Sequence, residues 1–158
     1  MGSFLLFLFS CKESSNIKMI ESNFIYEKPP FIECHASSIE ELSDGNILIA
    51  AFGGTKEKNK DVTIWLSKKG TDKWQSPKLI ADGIINDSLR YPTWNPVLYR
   101  TMSDILYLYY KVGPSPREWW GEYIFSTDQG ENWSELVRLP NSISVSYTHL
   151  RAHETYDH

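Results

Sequence analysis

The chain has 158 residues, 41% of them hydrophobic and 23% charged, an ordinary globular composition that excludes a disordered tail and a membrane bundle. Sixteen basic against 20 acidic side chains leave a net charge of −4, and no run of Lys or Arg stands out, so a nucleic-acid-binding surface is excluded as a first reading. Phe, Tyr and Trp make up 14% of the chain, which leans toward β-sheet.

Residues 4–9 form a short apolar run, followed by Ser10, Cys11 and the polar stretch 12–15. The run is far too short to span a bilayer. Leu8-Phe9-Ser10-Cys11 resembles a bacterial lipoprotein box, in which the signal is cut before a cysteine that is then lipidated. Residues 1–18 are accordingly expected to be a leader and tether. The mature protein would be exported to the periplasm or cell surface, its one membrane contact a lipid anchor at Cys11. Cys34 would then be the only other cysteine, which leaves no internal disulfide.

Between residues 37 and 139 the same order of features occurs twice. Strands are expected at residues 38–42, 47–52 and 62–67, with a fourth beginning at Trp74. Their counterparts are residues 96–99, 105–110 and 123–126, with a fourth beginning at Trp133. The second strand of each set is a near-continuous apolar run, as expected of a strand buried on both faces. Ser67 and Ser126, like Trp74 and Trp133, are 59 residues apart. Two units of four short strands, with turn signals at regular spacing, predict an all-β fold of propeller blades.

The second unit closes on Ser126-Thr127-Asp128-Gln129-Gly130-Glu131-Asn132-Trp133, which matches the Asp-box pattern S-x-D-x-G-x-x-W at every fixed position. The Asp carboxylate suits backbone N–H groups across a tight turn, Gly supplies a positive φ, and Trp packs between blades. Ser126, Asp128, Gly130 and Trp133 are therefore structural. The first unit keeps Ser67 and Trp74 of this pattern but loses the Asp. Beyond the repeat, residues 144–158 hold three of the four histidines without strand alternation. His149 and His153 are four apart, but the string resembles translated sequencing-adapter read-through, so it is set aside as a non-native tail rather than read as a metal pair.

With these motifs, residues 24–143 resemble the amino-terminal part of the sialidase-like Asp-box (BNR repeat) propeller family, in its predicted-neuraminidase branch. The most specific stretches are Arg90-Tyr91-Pro92-Thr93-Trp94-Asn95-Pro96-Val97 and Lys111-Val112-Gly113-Pro114-Ser115-Pro116-Arg117-Glu118-Trp119-Trp120-Gly121. The resemblance implies a six-bladed parent, of which about two blades are present, so the chain is read as an N-terminal fragment.

In an up-and-down blade the start of the first strand, the end of the second and the start of the third lie at one end of the axis. That end should gather His35, the loop 53–61, the approach 90–95 and the loop 111–120. Arg90, Lys111 and Arg117 suit a carboxylate, Asn95 and Asp61 suit hydroxyls, and Trp94 and Trp119 either stack on a pyranose or fill the space between blades. Asp61, opening a strand, is expected to be partly buried and raised in pKa as an acid. His35 has a side chain suited to base work.

The resemblance implies a glycosidase acting on a terminal acidic sugar, with three arginines, an acid/base Asp and a Tyr–Glu nucleophile. Cys34-His35 stand where the first arginine would fall, and the Tyr–Glu pair would lie in later blades. A non-catalytic glycan-binding propeller and a His-dependent lyase of uronate-linked sugars are the alternatives. No phosphate loop, Ser-His-Asp order or metal-ligand cluster appears in the repeat, so no cofactor is expected.

Overall fold

The computed structural model describes residues 22–71 and 73–140. The proposed leader with Cys11, Asp72 and the tail with His149 and His153 lie outside the described residues.

Ten strands follow in chain order: β1 Glu33–Glu41, β2 Ile47–Gly54, β3 Thr63–Lys69, β4 Lys78–Ala81, β5 Ile84–Asn86, β6 Leu89–Arg90, β7 Thr93–Arg100, β8 Leu106–Val112, β9 Trp120–Ser126 and β10 Val137–Arg138. They build two antiparallel four-stranded blades, β1-β2-β3-β4 and β7-β8-β9-β10, with β5 and β6 as a hairpin between them. This is the all-β, blade-built architecture predicted. The fourth strands begin later than predicted, at Lys78 and Val137. Trp74 makes only an isolated bridge to Lys69, because each Asp-box-like turn needs several residues before the chain can rejoin the sheet.

The 59-residue repeat extends to the backbone. Ala36 and Asn95 have φ of 48° and 42°, and Gly45 and Asp104 have φ of 78° and 64°; both pairs are 59 residues apart. Ala36 and Asn95 sit in β-bulges, where register shifts between His35 and Ser38 in β1 and between Trp94 and Val97 in β7. A bulge is also what admits Pro96 into a strand.

The blades meet through one core. Leu48, Ala50, Phe52, Ile64 and Leu66 from the first pack with Leu98, Leu106, Leu108, Tyr110, Val112 and Ile124 from the second. The innermost strands are tied directly: Ser38 Oγ accepts the Leu98 N–H at 2.9 Å, and Arg100 Nε donates to the Glu41 carbonyl at 2.8 Å. β2 is buried on both faces from Leu48 onward, as predicted, because Phe31 of the entering segment covers its other side. β8 departs from that prediction and alternates buried and half-buried positions. Its second face carries Tyr107 and Tyr109, which the core does not cover.

Candidate functional site

Strand direction sets which residues share an end of the blades. β1, β3, β7 and β9 begin at one end of the blades, where β2 and β8 finish. The Asp-box turn and the loops 42–46 and 100–105 lie at the other end. The first end therefore holds His35, Asp61, Arg90, Trp94, Asn95, Lys111, Arg117 and Trp119, as the blade topology predicted.

Aromatic rings link the two blades across it. The His35 ring lies 5.6 Å from Phe52, Phe52 lies 6.1 Å from Trp94, and Trp94 lies 5.7 Å from Trp119. The Lys111 ammonium sits 4.4 Å over the Trp119 ring, a cation held on a π face. Partial burial lowers the Lys111 pKa from its ordinary value.

Trp94 does not present a stacking face. It is 2% exposed and its indole N–H donates to the Gly113 carbonyl at 3.0 Å, so it packs the inter-blade core. Asn95 follows it in left-handed backbone conformation on the axial strand, a placement Asn tolerates better than most residues. Arg117 is exposed, its backbone N–H on Ser115 Oγ at 3.4 Å, and Ser115 in turn donates to Glu118 at 3.1 Å.

Asp61 corrects the expectation of a buried, raised acid. It is exposed and accepts the Thr55 N–H at 2.8 Å and the Thr55 hydroxyl at 3.0 Å. Desolvation pushes its pKa up, but the Thr55 donors and the nearby Arg90 charge outweigh it and hold the carboxyl below the ordinary Asp value. The group is an ionised anchor of the loop 55–61. Arg90 is half-buried, and its Nε is buried without a hydrogen-bond partner among the described residues. A buried donor left open in this way suits an incoming acceptor.

Glu33 and Thr55 were missed in the sequence. Glu33 Oε2 lies 3.8 Å from His35 Nε2 and accepts the Glu57 N–H at 3.2 Å. The signal was present in the two-residue spacing, which puts Glu33 and His35 on one face of a strand. Among the described residues no group of three His, Cys, Asp or Glu side chains is placed to hold a metal ion.

The Asp-box turn at the other end is built as its pattern requires. Ser126 Oγ donates to Asp128 at 2.8 Å and accepts the Gly130 N–H at 2.9 Å. Asp128 takes the Asn132 backbone and side-chain N–H groups at 2.9 and 2.7 Å. Those donors, then Ser126, hold its pKa down to about 2. Gly130 has φ of 82°, and Trp133 donates to its carbonyl at 3.1 Å while packing on the shared core.

Two four-stranded blades side by side, the second with an Asp-box turn between its third and fourth strands, define a sialidase-like β-propeller architecture. The BNR repeat-like domain family matches residues 45–153, and the chain belongs to it. Among solved structures it is similar to the Hadza microbial sialidase Hz136, with 12% identity and a TM-score of 0.58 over 66% of this chain and 25% of that one. It is also similar to a protein of unknown function from Dyadobacter fermentans DSM 18053, with 15% identity and a TM-score of 0.52 over 68% of this chain and 36% of that one. The chain thus spans between a quarter and about a third of these relatives' length, and the likeness is one of fold. No curated protein matches.

Proposed function

We propose that the chain forms part of an exported glycosidase that removes a terminal acidic sugar, its substrate held at the end of the blades carrying His35 and Lys111. The observation that supports this reading is the gathering there of three cations, Arg90, Lys111 and Arg117, beside an aromatic path that reaches His35. Arg90 offers a buried donor with no hydrogen-bond partner among the described residues. Lys111 is fixed over Trp119. Such groups bind a sugar carboxylate by charge-assisted hydrogen bonds, while Trp119, half-buried rather than sealed in, supplies apolar contact. Asn95 and the ionised Asp61 accept hydroxyls. His35, with Glu33 beside it, is the side chain suited to move a proton.

The lowered pKa of Asp61 favours a second reading, a glycan-binding propeller without turnover, because an ionised carboxylate has no proton to donate to a leaving group. The test is to incubate intact full-length protein with sialylated and uronate-capped oligosaccharides. Release of sialic acid or a uronate that is lost in His35→Ala supports the first reading. An unsaturated-uronate absorbance that disappears in the same variant moves the reaction to a lyase. Binding without product in both wild type and variant leaves the second reading.

A further inference from the structure

The loop 55–61 rises between the two middle strands of the first blade and is closed on itself. Both oxygens of Asp61 are turned onto Thr55, and Asn59 Nδ2 donates to the Thr55 hydroxyl at 2.9 Å. The Asn59 N–H donates to the Lys56 carbonyl at 3.0 Å, and the Val62 N–H to the Asn59 carbonyl at 3.1 Å. The loop is also docked at the candidate site: the Glu57 N–H donates to Glu33, beside His35, and Asp61 feels the Arg90 charge. This frame carries Lys56, Lys58 and Lys60 on alternate residues, all three exposed. Lys58 is held at a left-handed φ of 76°, a conformation for which glycine is the ordinary choice. Among the described residues none of the three lysines makes an ion pair or a side-chain hydrogen bond. Lys68 and Arg100, at the other end of the blades, pair with Glu131 and Asp104 at 2.9 and 3.2 Å. Glu57 is the one carboxylate of the loop not turned onto Thr55. A chain of net charge −4 thus holds a cationic rim beside its candidate site.

We propose that this rim is a second anion subsite, and that the glycan bound is a run of acidic sugars rather than a neutral chain with a single acidic cap. The inference rests on the reading of Arg90 and Lys111 as partners of the terminal carboxylate, and extends it to the sugars behind. Lysine is a flexible point charge, which suits successive carboxylates whose spacing changes with the linkage. The terminal sugar, by contrast, meets an arginine and ordered aromatic rings. Because the loop backbone is already fixed by its own hydrogen bonds, little of its freedom is lost when a ligand settles on it. The same charges draw a polyanionic chain toward the site from solution.

Calorimetry on the full-length protein tests this with short oligomers of galacturonate and of sialic acid, set against neutral oligosaccharides capped by one of the same sugars. At low salt the acidic runs should bind about tenfold more tightly than the single caps, as three exposed ion pairs together supply. In the unaltered protein that gain should fall away by about 0.5 M salt, a readout independent of how any variant folds. Lys56→Gln with Lys58→Gly and Lys60→Gln, the glycine suiting the left-handed turn, should remove most of the gain and leave binding of the single caps unchanged. Equal affinity for runs and caps would overturn the proposal and leave the single-sugar reading standing, whereas no binding of either would overturn both. A gain that survives the triple variant would also overturn it, as would polyglutamate bound as tightly as the acidic runs.

Discussion

The Asp-box carboxylate acts through the protons it refuses. Asp128 has a folded pKa of about 2 against an ordinary value of 3.8, and Asp104 is also held low, by the Ser43 hydroxyl and, against some desolvation, by Arg100 and Gln129. For carboxylates lowered on folding, stability is fully present above the unfolded value and is lost as pH falls through the folded one. Melting temperature should therefore drop between pH 4 and about pH 2, and Asp128→Asn should shallow that drop. A thermal series across this window checks it, and an unchanged slope in the variant would contradict the assignment. The positive φ at Ala36 makes a separate prediction. Left-handed backbone costs a non-glycine residue about 1–2 kcal/mol, while the added freedom of glycine in the unfolded chain costs about 0.4–1 kcal/mol. The first is larger, so Ala36→Gly should stabilise by about 0.5 kcal/mol in urea melts. Asn95→Ala, at the equivalent bulge, should destabilise by about 1 kcal/mol. Asp128 was legible because its motif is local and contiguous. The strain at Ala36 was not, since nothing in Cys34-His35-Ala36-Ser37 announces a bulge.

At the scale of strands, burial ranks the consequences. Ile64 is fully buried at the contact between blades, whereas Ile39 on the innermost strand is 63% exposed. Ile64→Ala should cost about 2–5 kcal/mol by loss of transfer energy and a cavity, and Ile39→Ala less than about 0.5 kcal/mol. Denaturant midpoints at constant slope would separate the two. β9 also carries Glu122, 6% exposed, which accepts the Trp120 indole N–H at 2.6 Å. Desolvation raises its pKa above the ordinary Glu value despite that donor and the Tyr110 hydroxyl. Here the sign reverses: the unfolded state loses the proton first, so stability falls as pH rises from the ordinary value through the raised one. Glu122→Gln should gain stability at pH 8 relative to wild type and lose that gain at pH 4. Alternation along residues 106–112 contains the distinction between β2 and β8, but the apolar character of tyrosine hides it in a sequence reading.

For the whole molecule, the two blades, their order and which loops share an end were legible, because a translational repeat and an up-and-down topology leave few alternatives. The electrostatics of the site were not. Asp61 is lowered by Thr55, six residues earlier across a loop, and sequence alone does not say that this loop folds back on itself. Nor was the linkage between blades at the far end visible: the Ser43 hydroxyl donates to Asp104 at 2.7 Å, the Ser43 N–H donates to the Gln129 side-chain oxygen at 3.2 Å, and Lys68 pairs with Glu131 at 2.9 Å. These contacts and the shared core join the blades into one cooperative unit. A lone four-stranded blade of roughly 60 residues buries too little surface to be more than marginally stable, and here it would also expose Leu48, Phe52 and Ile64. Urea unfolding followed by tryptophan fluorescence and by far-ultraviolet dichroism should therefore give coincident single transitions. Residues 22–82 alone should show no sigmoidal transition. Two separated transitions in the full chain, or a cooperative melt of the isolated blade, would show that the inter-blade core is an accessory to blades stable in their own right.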